Sequence, residues 1–170
     1  PLPSFAPVTS RSARCAKTAV FERFSPSARA AVVRACDIAA TDGAATVEAE
    51  HLLLALTERM DEPTSRVLDT LGITEATVRA ALDTEFVDAL QTVGIAAARP
   101  PSRRSRSKPT WGQSAKLVLV RNLQVAVERG DKRMDTRHLL LAISHAEAGV
   151  IPRVLRTLEV SASDIAAALR

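Results

Sequence analysis

The chain of 170 residues is 46% hydrophobic and 25% charged, an ordinary globular composition with enough apolar surface for one domain, or two small ones, around a buried core. No apolar run approaches the roughly 18 residues that span a bilayer, and the start Pro1-Leu2-Pro3-Ser4-Phe5-Ala6-Pro7 lacks the basic-then-apolar layout of a signal peptide, so the expectation is a cytoplasmic protein with no membrane partner. The net charge of +4 is concentrated, because Arg99, Arg103, Arg104, Arg106 and Lys108 fall in one Pro/Ser-rich stretch while the rest of the chain is near neutral.

Residues 1–20 hold prolines, Ser/Thr, Arg11, Arg14 and Lys17 with little periodicity, the composition of a disordered leader. After Phe21-Glu22-Arg23-Phe24, Ser25 is placed to cap a helix whose first turn carries Pro26, where a missing N–H costs least. That helix is predicted to run to about Thr41 and stop at Asp42-Gly43. A second, from about Val47 to Arg59, presents Leu52, Leu53, Leu56 and Met60 at spacings of three and four. A third runs from Pro63-Thr64 through Leu71 and closes on Gly72. Thr74 opens a fourth that reaches about Leu90.

A basic linker, 91–110, follows, of which 99–109 is expected to be disordered. The plan then returns: Ser114 to Arg129 closed by Gly130, Asp135 to about His145, Pro152 to Leu158, and Ser161 to Arg170. The last helix opens on Ser161-Ala162-Ser163-Asp164, a near relative of the capping box. Nothing alternates with period two for long, so the expected fold is all-α.

The second half is a copy of the first. Glu50-His51-Leu52-Leu53-Leu54-Ala55-Leu56 returns as Arg137-His138-Leu139-Leu140-Leu141-Ala142-Ile143, an offset of 87 that holds without a gap from Ser27/Ser114 to Leu82/Leu169. It equates Ala28 with Ala115, Arg34 with Arg121, Gly43 with Gly130 and Val67-Leu68 with Val154-Leu155. Each copy is one supersecondary unit that buries its apolar face partly against the other. The expected architecture is two tandem four-helix repeats, 21–90 and 111–170, in one pseudo-twofold eight-helix domain.

Little here resembles catalytic machinery. There is no Gly-x-x-x-x-Gly-Lys-Ser/Thr loop to cradle phosphates and no Gly-x-Gly-x-x-Gly turn. Glu48 and Glu50 stand two apart, on different helix faces, and their copies are Asp135 and Arg137. His51 and His138 precede Leu-Leu-Leu runs and read as structural histidines hydrogen-bonded inside each repeat. His145 has no copy, since Glu58 holds the matching place, and reads as a surface residue. Cys15 and Cys36 are too few for a disulfide framework or metal cluster, and Cys36, at helical spacing from Val32 and Ala39, reads as core. The expectation is a non-enzymatic binding protein with no cofactor and no metal.

Phe21-Glu22-Arg23-Phe24-Ser25-Pro26-Ser27-Ala28-Arg29, Glu50-His51-Leu52-Leu53-Leu54-Ala55-Leu56 and Val67-Leu68-Asp69-Thr70-Leu71-Gly72-Ile73, each with a copy, resemble the Clp repeat N-terminal domain of the ClpC unfoldases. The resemblance covers about 21–170. It implies an eight-helix pseudo-symmetric module that docks adaptors and substrates and, with no AAA+ ring following, a freestanding actinobacterial protein of this type. Two sites come with it. The Glu preceding the His holds phosphorylated arginine in the family, which falls on Glu50, while Arg137 departs from the pattern. An apolar patch where the repeat starts meet takes up cyclic peptide antibiotics in actinobacterial relatives, which falls on Phe21, Trp111 and Lys116.

The expected ligands are therefore peptides, phosphoarginine-marked proteins, Clp components or cyclic peptide natural products, with a role in modulating or protecting the Clp system by sequestration. The alternative is a DNA-binding regulator, because Arg103, Arg104 and Arg106 in a flexible linker can neutralise phosphates without reading sequence. No aromatic is interleaved there to stack on bases.

Overall fold

In the computed structural model, which describes residues 22–96 and 107–170, α1 (Pro26–Thr41) begins where Ser25 Oγ accepts the Ala28 N–H at 3.1 Å, satisfying one of the orphan donors of the first turn. It ends at Asp42, and Gly43 turns the chain at φ 75°, a left-handed conformation that glycine adopts without a Cβ clash. The first repeat continues with α2 (Ala49–Leu56), α3 (Glu62–Thr70) and α4 (Glu75–Thr92). The second holds α5 (Gln113–Glu128), α6 (Thr136–Ser144), α7 (Val150–Thr157) and α8 (Ala162–Ala168). These are the four helices per repeat that the duplication predicts, with the caps expected at Ser25, Thr74 and Ser161.

The second helix departs from expectation at both ends. Its predicted first residue, Val47, lies instead in a two-residue strand β1 (Thr46–Val47) that runs parallel to β2 (Thr110–Trp111), with Thr46 opposite Thr110 and Val47 opposite Trp111. Glu48 becomes the cap because its backbone N–H donates to His51 Nδ1 at 2.9 Å. At the far end the Thr57 hydroxyl bonds the Leu54 carbonyl at 2.7 Å, and Arg59 takes a left-handed φ of 56°, so the helix stops short of it. Two-residue strands carry no alternation and left no trace in the hydrophobic pattern.

The strand pair has a pseudo-symmetric partner. The offset that equates Trp111 with Phe24 also equates Met134 with Val47, and Phe24 forms a parallel bridge with Met134. Ser25 N–H donates to Met134 O (2.8 Å) and Met134 N–H to Arg23 O (2.9 Å), while Gly112 N–H donates to Val47 O (2.9 Å) and Thr110 N–H to Ala45 O (3.0 Å). The lead-in to the first helix of each repeat is thus bonded to the lead-in to the second helix of the other.

Between these pairings lie α2 and α6, apolar all round, with every residue of Leu52–Leu56 and Leu139–Ile143 buried, as expected of helices at the centre of a core. Cys36 is buried in that core. Thr64 and Thr136, both buried, share a hydrogen bond of 2.7 Å, and Thr136 also donates to Asp61, which ties α3 to α6 across the repeats. On the outside, Glu85 of α4 pairs with Arg153 of α7. No helix among the described residues is long and apolar enough to cross a membrane.

A candidate ligand cleft at the repeat junction

Each copied histidine works for the backbone. His51 Nδ1 accepts the Glu48 N–H, and His138 Nδ1 accepts the Asp135 N–H at 3.0 Å, closing the first turns of α2 and α6. His138 has a further partner, Asp131 Oδ2, 2.8 Å from Nε2. Its pKa is raised, first because a protonated Nδ1 would turn from accepting the Asp135 N–H to donating to the Asp135 carboxylate, against burial, with Asp131 adding to the rise. Burial pushes the Asp135 carboxyl up, but hydrogen bonds from His138 and Arg137 outweigh it and hold the group well below the usual range. Among the described residues no cluster of His, Cys, Asp and Glu could hold a metal ion.

The two cap residues differ in what their carboxylates do. Asp135 stays on its own helix, accepting from Arg137 N and His138 N and holding the Arg137 guanidinium at 2.6 and 2.9 Å. Glu48 reaches across to the start of α5, where Ser114 donates its N–H (3.1 Å) and its hydroxyl (2.5 Å) to Oε2. Burial raises the Glu48 pKa and these bonds outweigh it, so the net shift is downward. A Cβ on Gly112 would fall 1.8 Å from Glu48 Oε1, so any side chain there would push the carboxylate aside.

Beside this clasp a cleft of about 370 Å³ opens between the start of α2, the outer face of α5 and the turn into α7. Leu117, Val118, Val150 and Ile151 give it apolar lining, and Glu48, Glu50, Glu147 and Arg121 give it charge. Glu50 is half-buried in the first turn of α2. Glu48 is bonded to Ser114, while Glu50, Glu147 and Arg121 have no hydrogen bond or ion pair among the described residues. A carboxylate held beside an apolar lining in this way can pair with a guanidinium through two parallel hydrogen bonds.

The other sequence-predicted residues sit apart from it. Trp111 is half-buried in β2 and packs against the core, while Lys116 is exposed on the first turns of α5; neither lines the Glu50 cleft. Phe21, Arg103, Arg104 and Arg106 lie outside the described residues, as do the leader and most of the linker. Arg137 is occupied by Asp135 and lines a different depression with Pro63, Arg66 and Val67. Sequence reasoning passed over Arg121 and Glu147, although the offset had already matched Arg121 with Arg34.

A duplicated eight-helix domain, interlocked at its lead-ins and carrying an open cleft between its halves, is what fold and site define. The model of the Clp repeat (R) N-terminal domain matches residues 23–107, and the chain belongs to that family. It is 27% identical over 131 residues to the chaperone protein ClpB of Mycobacterium tuberculosis and of Mycobacterium bovis, covering 76% of this chain but 14% of ClpB. Its fold is similar to the N-terminal domain of the chaperone ClpD from Arabidopsis thaliana (TM-score 0.64, 22% identity, 91% of this chain and 96% of that one). It is also similar to the N-terminal domain of the ClpV1 ATPase from Escherichia coli (TM-score 0.55, 23% identity, 87% and 84%).

Proposed function

We propose that the chain is a non-enzymatic binding module that captures short segments of partner proteins and, by holding them, modulates or protects a Clp unfoldase-protease system. The observation that supports this reading best is the Glu50 carboxylate, half-buried, unpartnered among the described residues and set at the rim of an apolar-lined cleft. The ligand class it fits is a peptide segment bearing a guanidinium, free or phosphorylated on arginine. The resemblance to ClpC N-domains, which dock adaptors and substrates, points the same way.

Trp111 and Lys116 belong to a second surface of the same module. The half-buried indole of β2 and the exposed ammonium on α5 would offer an aromatic edge and a cation to an apolar cyclic peptide, and Phe21 joins them from the sequence.

The test is calorimetric titration with a peptide carrying one arginine or phosphoarginine, and separately with a cyclic peptide ligand of ClpC. Glu50→Gln keeps the side-chain size and removes the charge. A charge-assisted hydrogen bond contributes about 1.5–3 kcal/mol, so the arginine peptide should bind at least about tenfold more weakly. Loss of the indole in Trp111→Ala should weaken the cyclic peptide by roughly tenfold to a hundredfold, with circular dichroism confirming that the helices persist. Unchanged affinity in folded Glu50→Gln would rule out Glu50 as the receiver of the guanidinium, and unchanged affinity in folded Trp111→Ala would rule out the aromatic surface.

A further inference from the structure

Duplication supplies an internal control for the cleft. In repeat one Arg34 Nε lies 2.6 Å from Glu58 Oε2. The offset equates Arg34 with Arg121 and Glu58 with His145, so repeat two keeps the arginine and lacks its carboxylate. Arg121 accordingly has no ion pair among the described residues, and it lines the cleft that Glu50 rims.

A parallel loss sits on the neighbouring helix. Asp61 caps α3, its Oδ1 accepting the Thr64 N–H at 3.0 Å. The offset places Ala148 there, and α7 opens on Gly149 with no side-chain cap. Gly149, Val150 and Ile151 line the same cleft. Both substitutions remove a carboxylate that repeat one uses, and both leave a positive group uncommitted: a guanidinium, and the N-terminal end of a helix, where backbone N–H groups and the helix dipole favour negative charge.

We infer that Arg121, supported by the uncapped first turn of α7, anchors an oxyanion in the Glu50 cleft, so that the cleft selects ligands carrying an oxyanion within reach of a guanidinium. This rests on the reading of Glu50 as the receiver of that guanidinium. Glu48 is committed to Ser114, which leaves Glu50 and Glu147 for the cation and Arg121 for the anion. A bare anion would face three carboxylates, Glu48, Glu50 and Glu147, against one guanidinium and be repelled, so the two charges must arrive on one ligand. The oxyanion is either a phosphate on the arginine or the carboxylate of a C-terminal arginine.

Calorimetric titrations at low salt should compare three ligands: acetyl-arginine amide, acetyl-arginine with a free carboxylate, and phosphoarginine as its acetylated amide. The parent should bind at least one anion-bearing ligand about tenfold more tightly than the plain amide, and which one does so identifies the source of the oxyanion. Arg121→Ala should abolish the preference. Ala148→Asp and His145→Glu restore the partners found in repeat one and should shrink the preference while leaving the unfolding midpoint equal or higher, so a lost preference cannot be blamed on a lost fold.

No preference in the parent, or a preference that survives in Arg121→Ala, overturns the inference. Glu50→Gln separates it from the reading beneath it, since that variant should weaken all three ligands. An Arg121-dependent preference with Glu50→Gln unchanged keeps the oxyanion anchor and sinks the Glu50 reading. Weakening in Glu50→Gln with the preference intact in Arg121→Ala does the reverse.

Discussion

Gly112 and Glu48 show how one missing side chain fixes a junction. With φ at −78°, Gly112 makes no use of its backbone freedom; the Glu48 carboxylate occupies the space of a Cβ. Gly112→Ala should therefore displace the tip of Glu48 from Ser114, and losing those bonds at a partly buried carboxylate should cost about 1–3 kcal/mol. Glu48→Gln removes the same charge-assisted interaction beforehand. Denaturant titration of both single variants and the double should then show strong non-additivity, with Gly112→Ala costing little in the Glu48→Gln background. Additive losses would mean that the alanine clashes with something other than the carboxylate. None of this was readable in the sequence, where Glu48 stood out only as half of a rejected acid pair. A contact between residues 48 and 112 is set by the packing of two repeats and by no local pattern.

At the scale of helices, caps and stops were legible because they are local chemistry. Ser25, Thr74 and Ser161 cap as their side chains suggest, and Gly72 and Gly130 close helices at φ 67° and 72°. What the pattern missed is the early stop of α2 and the absent cap of α7, although the offset exposed the latter as Asp61 against Ala148.

The helix α6 also carries a pH dependence, through His138 and its two aspartates. The folded pKa of His138 is raised, first by its hydrogen bond to Asp135, with Asp131 adding to it. A raised folded value means that the stabilisation is fully present below the unfolded value of about 6.5 and is lost as pH rises through the folded one. The urea midpoint should fall as pH climbs from about 6.5, less steeply in Asp131→Asn and not at all in His138→Gln. A midpoint that rises through this window in the parent would refute the assignment.

Across the whole molecule, the two repeats share one core and exchange backbone bonds at both lead-ins, so neither half has a complete set of partners alone. Unfolding should be a single cooperative transition. Trp111, the one tryptophan, sits on the β1–β2 pair and reports on the junction, while far-ultraviolet circular dichroism reports on all the helices. The two midpoints should coincide. A fluorescence change well before the loss of helix would show that the repeats part first and melt separately. The gapless offset made the eight-helix plan visible from the sequence, but it could not show how the halves join, since an alignment of copies says what each half contains and nothing about which half its edges face.

That mutual bonding has a consequence for descent. A lone ancestral repeat would present two unsatisfied lead-ins, and the partner that fits them is another molecule of itself, turned by a twofold axis. The pairing of Phe24 with Met134 and of Val47 with Trp111 is the contact that such a homodimer would make across its twofold axis. In a true dimer any change at one groove is forced on both. A single chain is free of that constraint, so a protein folded as twins can let one twin hold its Arg34–Glu58 ion pair while the other, with His145 in place of Glu58, leaves Arg121 without one among the described residues.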